Sequence, residues 1–263
     1  KGYTERLIKI DYARLYPMIQ LTHDVFPMFD ITGVMKKMLL YMTTTRNIYK
    51  KMGNGLDLDD EETSLLGQID AEAQLKLNND TLTTKDTSMF KVKQLPIKIL
   101  NNSLFGALGS DISFNWSDNV CAARITSVGR IELRHAIHWF KQFGCEPLLC
   151  VTDGVNFKIP DKTTIIVGKN GISDTTVEGT IEEMWKYGGK TGIQALIEKF
   201  NDEEMPKPYM AVDDDGESES CFNLSRINYA TLSLVKDKKT GKTKEKVKLT
   251  GNSIKSKALP EYI

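Results

Sequence analysis

Two aspartates and a lysine-bearing helix are the parts of this sequence best suited to chemistry. Asp11 and Asp153 each stand at the end of a mainly apolar run that is typical of a β-strand. Lys98 and Asn102 lie four residues apart, so they share one face of a helix. Carboxylates hold Mg²⁺ in proteins, and lysine or arginine neutralises transferred phosphates. Phosphoryl transfer from a nucleoside triphosphate requires this combination.

The two aspartates would act together only if their strands are neighbours. Most aspartates at strand ends cap turns, which is the alternative for either residue alone. On adjacent strands, the carboxylates of Asp11 and Asp153 would lie close enough to bridge one or two Mg²⁺ ions. Metal ions in such a site polarise the α-phosphate and lower the pKa of an attacking hydroxyl group.

A second pair of cations repeats the helical spacing. Arg46 and Lys50 are four residues apart, so an antiparallel pair of helices would line one surface with these residues and Lys98. A solvated basic face would show the same spacing. The sequence Phe105-Gly106 favours a binding surface, because a glycine inside a helix costs about 1 kcal/mol relative to alanine. Its missing side chain leaves room for a flat group, such as a base pair.

Hydrophobic periodicity and breaker residues predict strands and helices in alternation. The first strand ends at Asp11. A helix follows at 31–52, capped by Thr32 and ended by Gly53. A partly helical acidic tip extends to residue 88, and further helices are predicted from Thr87 or Pro96 to Leu108, at 117–143 and at 180–201. The predicted strands are a hairpin of 146–151 and 155–159 that turns at Asp153-Gly154, a strand at 209–212, and a pair at 228–235 and 245–249. This order predicts an α+β fold.

Charge is balanced overall but unevenly distributed. The 263 residues include 35 Lys and Arg and 35 Asp and Glu. Segment 53–89 carries a net charge of −7, whereas segment 236–248 carries +5. The lysine-rich segment could contact nucleic-acid phosphates, although a solvated hairpin tip would have the same composition.

The remaining composition indicates a soluble globular fragment of a larger protein. No apolar run approaches the roughly 18–20 residues of a membrane span, and no signal-peptide pattern opens the chain. The chain begins with lysine rather than methionine, and no closing element precedes Ile263, so we expect an excised fragment. The four cysteines lack metal-binding spacing, and we expect reduced intracellular thiols.

Six short segments follow one another in an order that a known family shares. They are Asp11–Pro17 (DYARLYP), Arg46–Lys50, Gln94–Gly106 (QLPIKILNNSLFG), Leu149–Gly154, Arg226–Tyr229 and Lys248–Pro260. In this order, they resemble six features of family B DNA polymerases: the motifs DxxSLYP, RxxxK, QxxxKxxxNSxYG, YGDTDS and KKxY, and the lead-in to the thumb domain. The details are most similar to bacteriophage members, and the resemblance covers essentially the whole chain.

The resemblance implies a domain layout. It implies an antiparallel-sheet polymerase palm with a two-helix fingers insertion, lacking an exonuclease domain and most of the thumb. Residues 1–30 would form the first part of the palm and 31–109 the fingers helices with their acidic tip. Residues 110–235 would form the second part of the palm, and 236–263 a basic hairpin and the lead-in to the thumb.

The resemblance also implies a function and its residues: template-directed DNA synthesis from dNTPs on a primer-template, with two Mg²⁺ ions or with Mn²⁺. The implied metal ligands are Asp11 and Asp153, with Asp213 or Asp215 as a further candidate. The implied dNTP-binding residues are Arg14, Leu15, Tyr16, Arg46, Lys50, Lys98, Asn102 and Phe105. The implied DNA-binding residues are Gly106, Arg226, Tyr229 and Lys248. Tyr16 would exclude a ribose 2′-hydroxyl, and Asn102 and Phe105 would shape the base-pair pocket.

Departures from the family motifs keep a second hypothesis open. Val151 stands where the family has the first aspartate of DTD, and Arg14 and Met18 replace motif serines. The acids at 213–215 would also fit an ordinary acidic turn, and Phe105 a core position. A catalytically inactive palm that serves as a DNA-binding or assembly subunit is the alternative function. We expect an intracellular protein, in the cytoplasm of a phage-infected bacterium, whose clamp or replisome partners would bind regions outside this chain.

Overall fold

The computed structural model describes residues 2–110, 115–169, 172–225, 228–236 and 243–251. Its internal contacts divide the chain into two units. The sheet unit comprises residues 1–15 and 129–263, and the helical unit comprises residues 16–128. The helical unit extends beyond the predicted fingers segment at both ends, and the assignment of palm and fingers segments stays a prediction.

Ten strands and eight helices are formed by the described residues. The strands are β1 (Gly2–Tyr12), β2 (Glu146–Val151), β3 (Gly154–Lys158), β4 (Lys162–Lys169), β5 (Ile172–Thr180), β6 (Lys186–Tyr187), β7 (Lys190–Thr191), β8 (Val212–Ser225), β9 (Asn228–Lys236) and β10 (Thr243–Thr250). The helices are α1 (Leu15–His23), α2 (Val34–Asn54), α3 (Asp60–Ile69), α4 (Ala71–Asn78), α5 (Thr84–Leu108), α6 (Asn119–Gln142), α7 (Ile181–Met184) and α8 (Gly192–Glu203).

A six-stranded antiparallel sheet forms the centre of the sheet unit, with the strand order β10-β9-β8-β1-β3-β2. The central strand β1 pairs with β3 along one edge and with β8 along the other. Alternation of its side chains explains this central place, because Ile8, Ile10 and Tyr12 are buried on one face. Lys9 and Asp11 therefore lie on the opposite face, which we call the site face.

Aromatic side chains from two helices cover the face opposite the site face. Phe140 of α6 stacks on Phe157 of β3 with ring centroids 5.1 Å apart, and Phe157 lies opposite Ile8 in the sheet. Phe200 of α8 contacts both Phe140 and Trp139. This layer anchors β1 and β3 from behind and leaves the site face open for polar groups.

Two long helices, α2 and α5, form the core of the helical unit. Tyr49 near the end of α2 stacks on Phe90 near the start of α5, so the two helices run antiparallel. Ile48, Leu66 and Phe90 are almost completely buried between α2, α3 and α5. The predicted acidic tip therefore consists of the helices α3 and α4. Each of α3 and α5 begins with a capping box, formed by Asp59 and Glu62 in α3 and by Thr83 and Asp86 in α5.

The predicted ends of the first long helix were wrong. Both carboxylate oxygens of Asp30 accept hydrogen bonds at the start of α2, from the amides of Val34 and Met35, so Thr32 is not the cap. Gly53 is buried inside the helix, and the helix ends at Gly55, which adopts the left-handed conformation. Glycine is favoured there because it has no Cβ atom to clash.

Three further predictions of local structure need correction. The helix predicted from Thr87 or Pro96 begins at Thr84, and Pro96 lies within it rather than at its start. The predicted helix at 180–201 is two helices, α7 and α8, separated by the small hairpin of β6 and β7, because Gly188 and Gly189 both have positive φ. The strand predicted at 209–212 begins only at Val212, as the long strand β8. The two-stranded sheet of β4 and β5 was not predicted.

Two predictions from composition can be compared with the structure directly. All four cysteines lie in the described part of the chain, and none of them forms a disulfide. Within the described ranges, no helix is long and apolar enough to cross a membrane. The α+β class and the antiparallel sheet predicted from the sequence are confirmed.

The capping box of α5 gives a test of the helical unit. Replacing Thr83 with alanine removes the hydroxyl group that caps the amide of Asp86, and we expect the free energy of unfolding to fall by about 1 kcal/mol. Urea unfolding at pH 7 measures this loss. Thr84→Ala, one residue further on, is the matched control and should change stability by less than about 0.5 kcal/mol. Equal losses in the two variants would contradict the capping role.

The same variant should alter the pH dependence of stability. Hydrogen bonds from the hydroxyl and amide of Thr83 and from Lys76 hold the pKa of the Asp86 carboxyl well below its usual 3.8. Because the folded pKa is depressed, the stability gained is complete above pH 3.8 and is lost as the pH falls through the folded value. The difference between wild type and Thr83→Ala should therefore be largest near neutral pH and should narrow in acid.

Candidate functional site

One row of residues crosses four strands of the sheet and contains the first predicted aspartate. In the antiparallel register, Val151 of β2 lies opposite Gly154 of β3, Gly154 lies opposite Asp11 of β1, and Asp11 lies opposite Asp213 of β8. Residues that are directly opposite on neighbouring strands point to the same face of a sheet. Asp11 therefore has an aspartate as its neighbour on one side and a glycine on the other.

Asp153 lies in the turn that joins β2 to β3. Its carbonyl oxygen accepts a hydrogen bond from the amide of Tyr12 at 2.8 Å, which ties the turn to the end of β1. The residue that turns the chain with positive φ is Thr152, whereas Gly154 already belongs to β3. The prediction that Gly154 makes the turn was therefore wrong. The backbone of Asp153 lies next to the strand end that carries Asp11.

Gly154 instead provides space for the Asp11 carboxylate. A Cβ atom built on Gly154 would lie 2.5 Å from Oδ1 of Asp11 and 3.2 Å from the carbonyl oxygen of Ile10. The first distance is shorter than any ordinary contact, so a larger residue would force the carboxylate to move. The orientation of Asp11 thus depends on a missing side chain on the neighbouring strand.

Lys9 is the nearest cation to Asp11. Its Nζ atom lies 3.3 Å from Oδ1 of Asp11 and 2.6 Å from Oδ2 of Asp215, while Lys248 Nζ lies 3.7 Å from the same oxygen of Asp215. Burial lowers the pKa of the Lys9 ammonium, but its bond to Asp215 and the charges of both aspartates outweigh burial, so the pKa is raised. Burial likewise raises the pKa of Asp215, but the bond to Lys9 and the charges of Lys9 and Lys248 leave it lowered.

The acidic run at 213–215 is not a simple acidic turn, because its three aspartates have different neighbours. Asp213 lies opposite Asp11. Asp214 accepts a hydrogen bond from the amide of Gly216 at 2.7 Å and another from Gln194 of α8. Asp215 contacts Lys9 and Lys248. The alternative of a plain acidic turn does not describe this segment, which forms the beginning of β8.

A groove of about 270 Å³ lies on the same face of the sheet, next to Lys9 and Asp215. Tyr229 of β9 and Lys246 and Lys248 of β10 also line it. The Tyr229 side chain is mostly buried, against Leu7 and Cys221. Of the four residues predicted to bind DNA, this region contains Tyr229 and Lys248, whereas Arg226 lies outside the described residues.

In the helical unit, two of the predicted nucleotide-binding residues touch each other. The rings of Tyr16 and Phe105 are stacked, with centroids 4.2 Å apart and planes inclined by 25°. Both side chains are half-buried, so Phe105 is not an ordinary core residue. Beyond Phe105, a Cβ atom on Gly106 would meet nothing within 4 Å. The predicted room beside this helix is therefore present.

The predicted cations of the helical unit lie on the two helices that pack together. Arg46 is half-buried and Lys50 is exposed on α2, and Lys98 and Asn102 are exposed on α5. At the start of α1, Leu15 is buried and Arg14 before it is half-buried, with a φ of 61°. The backbone amides here lie at the N-terminus of α1, a nine-residue helix, and a helix N-terminus favours the binding of anions.

The sheet unit supplies the donor chemistry of a magnesium site without a complete cage. Among the described residues, no group of three or more His, Cys, Asp or Glu side chains is already gathered into a metal site. Mg²⁺ does not require one, since it is usually bound by one or two carboxylates together with substrate phosphates and water. Asp11 opposite Asp213, with Asp153 in the adjoining turn, fits that requirement.

Sequence reasoning missed two residues next to Asp11. Lys9 precedes Asp11 by two positions, and the two-residue period of a strand could have placed it on the same face. The steric role of Gly154 depends on the register between β1 and β3, for which the sequence carries no local signal.

Comparisons with known proteins relate the chain to DNA polymerases. No protein-family model matches it. The chain is 28% identical to a DNA polymerase of Thermococcus sp. (strain 9oN-7) over 196 aligned residues. The aligned region covers 71% of this chain and 22% of that protein. The DNA polymerase of Thermococcus gorgonarius is 28% identical over 166 residues, covering 61% of this chain and 20% of that protein. The chain thus spans about a fifth of the length of these relatives.

A solved structure has a similar fold. It is similar to the family B DNA polymerase from the hyperthermophilic archaeon Pyrobaculum calidifontis, with a TM-score of 0.54 and 15% identity, over 96% of this chain and 28% of that one. The resemblance to family B DNA polymerases predicted from the motifs agrees with these comparisons. The closer similarity to bacteriophage members stays a prediction, since the relatives found here come from Thermococcus and similar organisms.

The Tyr16–Phe105 stack can be tested by a double-mutant cycle on stability. We expect Tyr16→Ala and Phe105→Ala to show a coupling of about 0.5–1.5 kcal/mol in the free energy of unfolding, as stacked aromatic pairs do. A cycle that pairs Phe105→Ala with Met28→Ala serves as the control, because Met28 is 94% exposed, and it should be additive within about 0.5 kcal/mol. Additivity in the first cycle would contradict the stack.

Proposed function

We propose that this chain carries the nucleotidyl-transfer site of a template-directed DNA polymerase. In the proposed reaction, the primer 3′-hydroxyl oxygen forms a bond to the α-phosphorus of a dNTP. The bond from that phosphorus to the bridging oxygen breaks, pyrophosphate leaves, and the hydroxyl proton passes to solvent. The observation that carries the proposal is the position of Asp11 opposite Asp213 on the site face, with Asp153 tied to the end of the same strand.

Asp11 and Asp153 are the residues proposed to hold divalent cations, with Asp213 or Asp215 as a further candidate. Mg²⁺, or Mn²⁺ in its place, would supply polarisation of the α-phosphate and a lower pKa for the primer hydroxyl. The protein's own part is to hold the carboxylates at fixed positions. The ladder of β1 with β3 and β8, and the bond from Tyr12 to Asp153, provide that rigidity.

The dNTP is proposed to be bound by cations and by backbone amides. Arg46, Lys50 and Lys98 would neutralise the triphosphate, and the amides of Arg14–Tyr16 at the start of α1 would hold it, since a helix N-terminus favours anions. Tyr16, fixed by its stack on Phe105, would leave no room for a ribose 2′-hydroxyl. Asn102 and Phe105 would shape the pocket for the nascent base pair.

Primer-template DNA is proposed to contact the site face of the sheet unit. Lys248 borders the groove beside Asp215, and Lys246 lies two residues before it on the same face of β10. Lysines of this kind make sequence-independent phosphate contacts. Tyr229, Arg226 and Gly106 are the other proposed DNA-binding residues.

Val151 supports a second candidate function. It lies on the site face in the same row as Asp11, at the position where family B motifs have an aspartate. A site with this carboxylate removed could belong to an inactive palm that binds DNA or assembles a larger complex. Calorimetric titration with dNTP and Mg²⁺ separates the two candidates, because only an active site couples metal and nucleotide binding.

Asp153 provides the direct test of the proposed chemistry. We expect Asp153→Asn to lower single-turnover dNTP incorporation by about 100-fold or more, because it removes a carboxylate proposed to hold the divalent cation that stabilises the transition state, while DNA affinity stays unchanged. Primer extension and fluorescence anisotropy measure the two quantities. Asp161→Asn is the matched control, since the Asp161 side chain is 91% exposed. Unchanged incorporation in Asp153→Asn would refute the assignment of Asp153.

Gly154 tests the orientation of Asp11. In Gly154→Ala the new methyl group would lie 2.5 Å from the Asp11 carboxylate, so the carboxylate must turn away. We expect dNTP incorporation to fall by about 10-fold or more, because small displacements of reacting groups are costly. Gly109→Ala is the control, because its Cβ atom would make only an ordinary contact of 3.5 Å with Ala122. Circular dichroism confirms folding, and full incorporation by folded Gly154→Ala would contradict the steric role.

A further inference from the structure

Lys9 is bound more closely to Asp215 than to Asp11. Its Nζ atom lies 2.6 Å from Asp215 and 3.3 Å from Asp11, and the first distance is that of a strong hydrogen bond between charged groups. Lys248 approaches the same Asp215 oxygen at 3.7 Å. The carboxylate of Asp215 therefore already has two cations of the protein beside it.

A β-bulge brings Asp215 to Lys9. Ile8 lies opposite Glu217 and Ile10 opposite Asp214, so Lys9 alone faces the two residues Asp215 and Gly216. Bulges bend a strand and redirect a side chain. Gly216 has a φ of 105°, where glycine is strongly favoured, and its amide is held by the Asp214 side chain at 2.7 Å. Local backbone geometry is thus built around the contact between Asp215 and Lys9.

The position of Lys9 matters for any cation that Asp11 would bind. Lys9 occupies one side of the Asp11 carboxylate, at Oδ1, and a divalent cation cannot share that position with an ammonium group of the same sign. Asp215 binds Lys9 through Oδ2, so coordination of such a cation by that oxygen would compete with the bond to Lys9. Asp213 is the acid of β8 that lies directly opposite Asp11 in the ladder.

We propose that Lys9 is a positioning residue that keeps Asp215 out of metal coordination and fixes the side of Asp11 that faces a metal ion. This inference rests on the proposed function, because it assumes that Asp11 and Asp153 hold divalent cations. It gives the two candidate acids of β8 different places: Asp215 anchors Lys9, whereas Asp213 lies opposite Asp11 in the ladder.

Mn²⁺ binding to the full chain tests this division without depending on activity. Bound Mn²⁺ is measured by electron paramagnetic resonance in wild type, Asp215→Asn, Lys9→Met and the double variant. We expect Asp215→Asn to bind Mn²⁺ within about 2-fold of wild type, and Lys9→Met to bind about 10-fold more tightly, the scale on which groups around metal ligands act. In the double variant, most of that gain should disappear, because it depends on the released Asp215 carboxylate.

Two further variants separate position from charge. Lys158→Met removes one positive charge from the exposed surface of β3 and should change Mn²⁺ affinity by less than about 2-fold. Lys9→Arg keeps the charge beside Asp215, so its Mn²⁺ affinity should stay near that of wild type. If Lys9→Met does not fold, Lys9→Arg and Asp215→Asn together test the inference.

The outcomes distinguish this inference from the proposed function. A loss of about 10-fold or more in Asp215→Asn would identify Asp215 as a metal ligand and overturn the inference, while incorporation of dNTPs by wild type would leave the polymerase proposal intact. Unchanged affinity in folded Lys9→Met would also overturn it. If wild type neither binds Mn²⁺ nor incorporates dNTPs, the proposed function fails, and the inference fails with it.

Discussion

The backbone pairing of β1 with a strand on each side is the constraint on which the candidate site depends. This ladder sets Asp11 opposite Asp213 on one side and opposite Gly154 on the other. The register is held by Ile8 and Ile10, which are at most 1% exposed on the opposite face. A slip by one residue would bury Lys9 and Asp11 and expose the isoleucines, because side chains alternate between faces. The hydrophobic pattern of the strand thus positions the polar residues.

The second constraint is electrostatic. Asp11, Asp213 and Asp215 converge on one part of the sheet, where like charges in a partly buried place destabilise the folded protein. Lys9 lies between two of these acids and offsets part of that repulsion. The ammonium group of Lys9 thus helps the folded chain to hold these acids close together.

The sequence was sufficient where local pattern decides structure. The alternation in β1, the hairpin of β2 and β3 and the long helix α6 follow from period and length. It was insufficient where distant residues meet. Lys9 and Asp215 are 206 positions apart, and only the bulge in β8 brings them together. The double glycine at 188–189 did carry a local signal, but the helical pattern around it concealed the break.

The register of the sheet shows where Val151 lies relative to Asp11. The sheet places it on the β3 side of Asp11, with Gly154 between them, so this row of residues adds no acid on that flank. On the other flank, β8 supplies Asp213 directly opposite Asp11 and Asp215 next to it. Within this row of the sheet, the acidic neighbour of Asp11 therefore lies on β8 and not on β2 or β3. Because the Asp11 carboxylate leans over Gly154, its orientation depends on the β3 flank, while its acidic neighbour belongs to the β8 flank.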